Sequence, residues 1–340
     1  MFEQLIAEVI RAGEAAGRAH LVARGHPDRL LTAAVRAGAL RRARRGWYTV
    51  WPADDPRFRA LRLGGRLTGL TAIIALGGWV LHRPKRMHVA VPVNASRLRC
   101  PRRRRVAFSR SSERPRVTLH WTRERHDRDT CTGIVPLLEA LEVVCRMEPV
   151  EDAIAAIDWA RRAGRADALD LAALASRLPA DRRHLVAASS GSCHSLPESL
   201  ARTRLRALGL RVREQVMLPE SPSPLDLLVE ESVAVEVDGE QFHRERFEVD
   251  RAKDLAATRC GFHALRPAAR HVFEEWPAVL EAIRVALSAR GVRLPVAASD
   301  PRRASADNSG PTKRCRRRSR AVPRSSSPRP RRPPPMVLNC

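Results

Sequence analysis

Three carboxylates lie in two short apolar runs: Asp226 in residues 225–229, and Glu236 and Asp238 in residues 233–238. Burying an acid among Val and Leu is costly unless its charge is paired or bound to a metal. Side chains alternate along a strand, so Glu236 and Asp238 share one face while Val233, Val235 and Val237 take the other. If an odd-length loop such as Glu230-Glu231-Ser232 joins the runs, antiparallel pairing sets Asp226 opposite Glu236, with β-carbons about 4.5–5.5 Å apart. Two carboxylates that close repel unless a cation or a proton intervenes. Oxygen-rich sites of this kind suit Mg²⁺ or Mn²⁺, which keep several waters and take one or two carboxylates. The alternative is a half-exposed hairpin whose acids face solvent, with Asp238-Gly239 as a turn dipeptide. Spacing alone does not choose between them.

The flanking residues are ambiguous one by one. Ser195-x-x-Glu198 is a capping box, in which the glutamate bonds back to the Ser195 amide. His243 carries an imidazole able to accept a proton near neutral pH. Asp250 and Lys253 are three apart on a helix predicted near 247–259, where an intrahelical pair is the simple outcome. In combination they are more specific. Glu on a helix, Asp on a strand, Glu-x-Asp-Gly-x-x-x-His, then Asp-x-x-Lys on a helix resembles the very-short-patch-repair endonuclease-like domains of the PD-(D/E)xK superfamily, over about residues 195–290.

The resemblance implies that Asp226 and Glu236 bind the metal, with Glu198 and Asp238 in support. It places Lys253 in the catalytic set, where related domains carry an Asp-x-x-Arg pair. The superfamily's own lysine, two residues after the strand glutamate, is Asp238 here. A different group must then activate the water, and His243 is the expected one.

The elements that must hold these residues follow from pattern and charge. The net charge is +25 over 340 residues, and residues 301–340 account for +11 of it, which leaves +14 for residues 1–300. The chain is basic even without its tail, so nucleic acid is the leading polyanionic partner. Lysine occurs only at Lys85, Lys253 and Lys313, an arginine skew that a GC-rich genome also produces. Seven scattered cysteines form no Cys-x-x-Cys pair, which argues against structural zinc or a disulfide framework and for reduced cytoplasmic thiols. The longest apolar stretch, residues 68–81, is too short to span a bilayer.

Residues 1–52 read as a winged helix: an amphipathic start at Phe2-Glu3-Gln4, a helix over 18–24, a turn at 25–27, and a second helix capped by Asp28 and ending before Gly38. A basic hairpin follows, in which Arg41, Arg42, Arg44 and Arg45 precede Gly46-Trp47-Tyr48 as expected nucleic-acid contacts. Its bland counterpart is a solvated arginine edge strand. Residues 18–150 resemble the N-terminal antitoxin domain of AbiEi type, on Leu30, residues 40–48 and the stretch 70–76.

Residues 53–185 read as an α/β and helical middle region, with one helix over 60–76, strands at 87–92 and 118–121, and helices over 134–178. Residues 190–292 form the nuclease-like region, ending in one helix over about 268–289. Residues 297–340, rich in Arg, Ser and Pro, are expected to be disordered.

The fold class is α/β (α+β). The expected function is a cytoplasmic DNA-binding protein with a metal-dependent endonuclease domain. The alternative is a transcriptional regulator or type IV antitoxin-like protein that keeps a degenerate nuclease fold. Basic charge alone does not separate DNA from RNA.

Overall fold

The computed structural model describes residues 2–123, 130–219, 221, 223–238 and 246–292. His243, Gly239 and the segment 297–340 lie outside these residues. The described residues form a mixed α and β fold with three small sheets.

The first sheet belongs to α1 (Glu3–Arg11), β1 (Ala15–Gly17), α2 (Arg18–Ala23), α3 (Asp28–Arg36), β2 (Arg41–Arg44) and β3 (Trp47–Thr49). Its strand order is β1-β3-β2, antiparallel throughout. Leu5, Val9, Leu21, Leu31, Leu40 and Tyr48 close its core. Strand β1 is only Ala-Ala-Gly and offers no alternation to read, so the sequence predicts a two-stranded hairpin where three strands form. Asp28 is not the cap of α3. Pro27 occupies that place, and the Asp28 carboxylate instead accepts from Arg18 Nε at 2.7 Å.

The second sheet, β4-β5-β6, is carried by α4 (Pro56–Leu63), β4 (Arg66–Leu67), α5 (Gly69–Ala75), β5 (Met87–Pro92) and β6 (Val117–Thr122). The single helix predicted over 60–76 is broken. Gly64 ends α4 at φ +124°, a conformation closed to other residues, and the two residues of β4 pair antiparallel with β5. Strands β5 and β6 run parallel from Met87↔Val117 to Pro92↔Thr122. Helices α6 (Leu137–Met147), α7 (Val150–Arg162), α8 (Ala168–Arg177) and α9 (His184–Ala188) complete the helical stretch.

The third sheet holds the acids. It follows α10 (Leu196–Ala207) and comprises β7 (Val212–Val216), β8 (Leu225–Val229), β9 (Val233–Val235) and β10 (His263–Leu265) in the order β10-β9-β8-β7. Strand β10 is parallel to β9 and the other pairs are antiparallel. Between β9 and β10 comes α11 (Arg246–Arg259); α12 (Ala269–Glu274) and α13 (Trp276–Ser288) end the described chain. The one helix predicted over 268–289 is two, because Pro277 has no N–H to donate and starts a helix better than it continues one.

Both faces of this sheet are covered. Val233, Val235 and Val237 pack with residues of α10, α12 and α13, while Ala234 and Leu228 pack with Ala256 and Ala257 of α11. Each fully buried valine of that kind contributes roughly 1.5–3 kcal/mol. One buried ionic link ties α10 to the helical stretch. Asp158 of α7, fully buried, accepts from Arg202 Nη2 at 2.8 Å, Ser199 Oγ at 2.6 Å and the Ser190 amide at 2.7 Å. Among the described residues no helix is long and apolar enough to cross a membrane.

Candidate active site

The hairpin of β8 and β9 turns through Glu230-Glu231-Ser232, with Glu230 and Glu231 at positive φ of 48° and 51°. Its register pairs Leu227 with Val235 and Leu228 with Ala234, so one step further on Asp226 faces Glu236, as the odd-length loop requires. The two side chains lock the ends of the strands reciprocally. Glu236 Oε1 accepts from the Asp226 amide at 3.0 Å, and Asp226 Oδ2 accepts from the Val237 amide at 2.9 Å. Both acids lie on the α11 side of the sheet, opposite the valines.

Helix α11 supplies the cation. Lys253, 7% exposed, donates to Glu236 Oε2, and Glu236 is itself 4% exposed. Lys253 thus makes a cross-element pair, while the Asp250 side chain of the suggested intrahelical pair lies outside the described residues. Sequence position therefore misleads about the lysine: Asp238 stands two residues after Glu236, yet an ammonium reaches Glu236 from 17 residues away in the chain. Asp238 turns elsewhere and accepts from Arg266 at 3.1 Å.

Glu198 arrives from the first turn of α10 and serves two purposes. As expected of a capping box, Ser195 Oγ meets the Glu198 amide at 3.4 Å. The carboxylate does not reach back to the Ser195 amide, however. It accepts from Ser195 Oγ at 2.7 Å, from the His194 amide at 2.9 Å and from Gln215 Nε2 at 3.3 Å. Gln215 was not singled out by the sequence. It continues the β7–β8 register opposite Asp226 and holds φ at +49°, where a non-glycine residue is strained. No local sequence signal marks it.

Electrostatics bind the acids into one group. Burial and the nearby Asp226 charge push Glu236 up to about 7, against the pull of Lys253. Burial and Asp226 likewise push Glu198 up to about 7, although the His194 amide, Ser195 and Lys253 oppose the rise. Asp226 is raised by burial, opposed by the Val237 amide, Lys253 and His194. Among the described residues Lys253 is the cation that acts on all three acids, with His194 also acting on Asp226.

The carboxylate oxygens are hard, they repel one another, and Asp226 Oδ1 accepts no hydrogen bond among the described residues. Among the described residues no group of three or more His, Cys, Asp or Glu is placed to hold a metal ion. Mg²⁺ usually takes one or two protein carboxylates and keeps several waters.

The chain matches no protein-family model and no curated protein. The site must be judged on its own chemistry. A cavity of about 370 Å³ lies elsewhere, against β6 and α6, and is lined by His120, Trp121, Glu142 and Arg146. There Arg146 is taken up by Glu142 and the Arg177 carbonyl. Among the described residues that cavity brings no carboxylates together with raised pKa values as the hairpin does, and the hairpin site is the better candidate.

The four hairpin arginines separate. Arg41 and Arg45 are exposed, while Arg42 and Arg44 are half-buried. The Arg42 guanidinium is 5.9 Å from the centre of the Tyr48 ring.

Proposed function

We propose that this chain binds DNA through its N-terminal elements and hydrolyses phosphodiester bonds at the Asp226–Glu236–Lys253 site with the help of Mg²⁺ or Mn²⁺. The observation that carries this reading is the meeting of Lys253 with Glu236 opposite Asp226, on a sheet that also receives Glu198 from a helix. The sequence resemblance to PD-(D/E)xK endonucleases implies Asp226, Glu236 and Lys253 in one catalytic set, and their meeting supports it, with the lysine coming from α11 and not from the strand position that Asp238 holds.

Asp226 and Glu236 would hold the ion. The ion supplies polarisation of the phosphodiester and a lowered pKa for water. Lys253 draws the Glu236 pKa down against burial and would set a positive charge where negative charge builds up in the transition state. Glu198, held by Ser195, His194 and Gln215, fixes the helix end that bounds the site. His243 remains the proposed base on sequence grounds, and Asp238 a supporting acid.

The order helix, strand, two helices and hairpin supports reading residues 2–50 as a winged helix. Arg29, Thr32, Ala33 and Arg36 make one exposed stripe along α3 at helical spacing, suited to the major groove. Arg41 and Arg45 would reach phosphates from the hairpin.

Purified protein incubated with supercoiled plasmid and Mg²⁺ or Mn²⁺ tests the reading. Nicking is expected, with loss of about 100-fold or more in Asp226→Asn while DNA binding persists. The same cations should raise Tm in the wild type and not in Asp226→Asn. Undiminished nicking by Asp226→Asn would remove the assignment.

A non-enzymatic DNA-binding regulator is the second reading. One observation favours it: both Glu236 oxygens are already engaged, by the Asp226 amide and by Lys253. In that case neither cation promotes nicking, and operator binding is unaffected by metal.

A further inference from the structure

The strongest feature outside the site is a seam of arginines where β2 meets the turn at 99–105. That turn is built, not loose. Arg99 bridges Ala107, the Cys100 amide donates to the Val106 carbonyl at 2.9 Å, and the Phe108 amide donates to the Leu98 carbonyl at 2.9 Å. Beneath the tip, Ser111 and the backbone of Arg102 and Arg103 lower the pKa of the buried Cys100 thiol against the effect of its burial. Arg102 to Arg105 are thereby held exposed in a row.

Arg62 of α4 stitches this turn to the hairpin. Its Nε donates to the Ala43 carbonyl at 3.2 Å and its Nη1 to the Arg102 carbonyl at 3.0 Å. The Arg99 amide donates to the Leu63 carbonyl at 3.1 Å. Arg44 lies across Gly64, where any β-carbon would strike its guanidinium, next to Leu98. Glycine at 64 is required by its φ, whereas the tip of the Arg44 side chain above it is free to shift.

Like charge is packed on like charge here. Burial and the neighbouring Arg99 lower the pKa of Arg44, and burial and Arg104 lower that of Arg62. Glu113 answers Arg102 at 3.2 Å and Arg116 at 3.7 Å. Among the described residues no carboxylate comes within ion-pair reach of Arg44, Arg99 or Arg103 to Arg105, nor of the exposed Arg41 and Arg45 of the hairpin. A solvated charge run would spread its side chains into water. This one is held together by backbone hydrogen bonds against its own repulsion, which a polyanion relieves.

We propose that the 99–105 turn and the β2–β3 hairpin form one surface that grips the phosphate backbone of duplex DNA. The inference rests on the DNA-binding reading above and extends it to a segment with no assigned role. Duplex is favoured over single strand because the seam offers few aromatics to stack on unpaired bases, Trp47 being half-buried against its neighbours. Tyr48 and Phe58 are buried, and the Arg62 guanidinium covers Phe58 at 4.4 Å.

The test uses the full chain carrying Arg103→Gln, Arg104→Gln and Arg105→Gln together, all exposed positions, with the melting curve as a check on folding. Binding to a labelled DNA duplex is followed by anisotropy across a salt series. The slope of log K against log salt should fall by about 2.7, since each phosphate contact contributes roughly 0.9. Adding Arg41→Gln and Arg45→Gln should lower it further on the same duplex, at one duplex per chain. Wild-type affinity and slope in the triple variant overturn the surface and leave DNA binding standing. Two duplexes per chain, one lost in the variant, overturn the idea of a single surface. A larger loss on duplex RNA than on DNA overturns the choice of polymer. If the wild type binds no duplex at all, the DNA-binding reading falls, and this inference with it.

Discussion

Lys253 governs what the acids around it can do. Its ammonium is buried against Glu236, and burial together with Asp226 already pushes that glutamate up to about 7. Removing one partner of a buried pair strands the other charge, at a cost of about 3–5 kcal/mol. Lys253→Met should therefore lower the denaturant midpoint strongly and reduce cleavage about 100-fold or more. Adding Glu236→Gln to Lys253→Met should restore part of the lost stability, because no buried charge is then left alone. If the two losses simply add, the pair is not coupled and the site as described is wrong. At this scale the residue types were legible in the sequence and their partners were not. The Asp226–Glu236 apposition follows from a three-residue loop and strand alternation. The partner of Lys253 depends on how α11 returns across the sheet, which no local spacing records.

Elements fix where those residues stand, and their legibility follows their length. Strands β5, β6 and β8 have five or six residues with apolar patterning and are recognisable in the sequence. Strands β1 and β4, of three and two residues, are not. Gly64 and Pro277 are breaks that the sequence shows by residue type, while helical periodicity runs on across both. Helix α10 carries Glu198 and is anchored by Arg202, fully buried between Asp158 of α7 and Glu214 of β7, the latter at 3.6 Å. Asp158→Asn leaves that guanidinium with one distant carboxylate and should cost about 3 kcal/mol in a urea or guanidinium melt. A loss below about 0.5 kcal/mol, the scale of an ordinary surface substitution, would show that α10 is held by packing alone.

The β5–β6 pair makes a separate, pH-dependent prediction. His120 lies beside His88 with ring centres 5.1 Å apart and the rings tilted by 41°, and burial together with His88 depresses its pKa to about 4. Burial and Arg86 lower His88 as well, while Glu148 lies 3.9 Å from it and is raised by burial, which runs the opposite way. Unfolded histidine titrates near 6.5. Between that pH and 4 the unfolded chain binds the extra proton, so the stability His120 contributes is full above 6.5 and is lost as the pH falls toward 4. Melts of His120→Gln should lose less stability than the wild type between pH 7 and pH 4.5. An unchanged profile rules out His120 as the titrating group.

At the scale of the whole molecule, charge and chemistry are separated along the chain. The exposed arginines of α3, the hairpin and the 99–105 turn belong to its first third, and the coupled acids to residues 198–253. Composition alone gave the basic surface but not its location, since arginine is spread along the sequence and only folding decides which side chains are exposed. If the first region binds the duplex and the second breaks it, mutations should divide between the two kinetic constants. Arg29→Gln with Arg36→Gln removes contacts made equally to bound substrate and transition state. It should raise KM by about 10-fold, the equivalent of about 1.4 kcal/mol, and leave kcat within about twofold. Lys253→Met acts on the transition state alone and should do the reverse, with kcat falling and KM nearly unchanged. Steady-state cleavage of a defined duplex at fixed salt measures both. A fall in kcat for the α3 variant equal to that for Lys253→Met would mean that binding and cleavage share one site, and the division of labour along the chain would have to be abandoned.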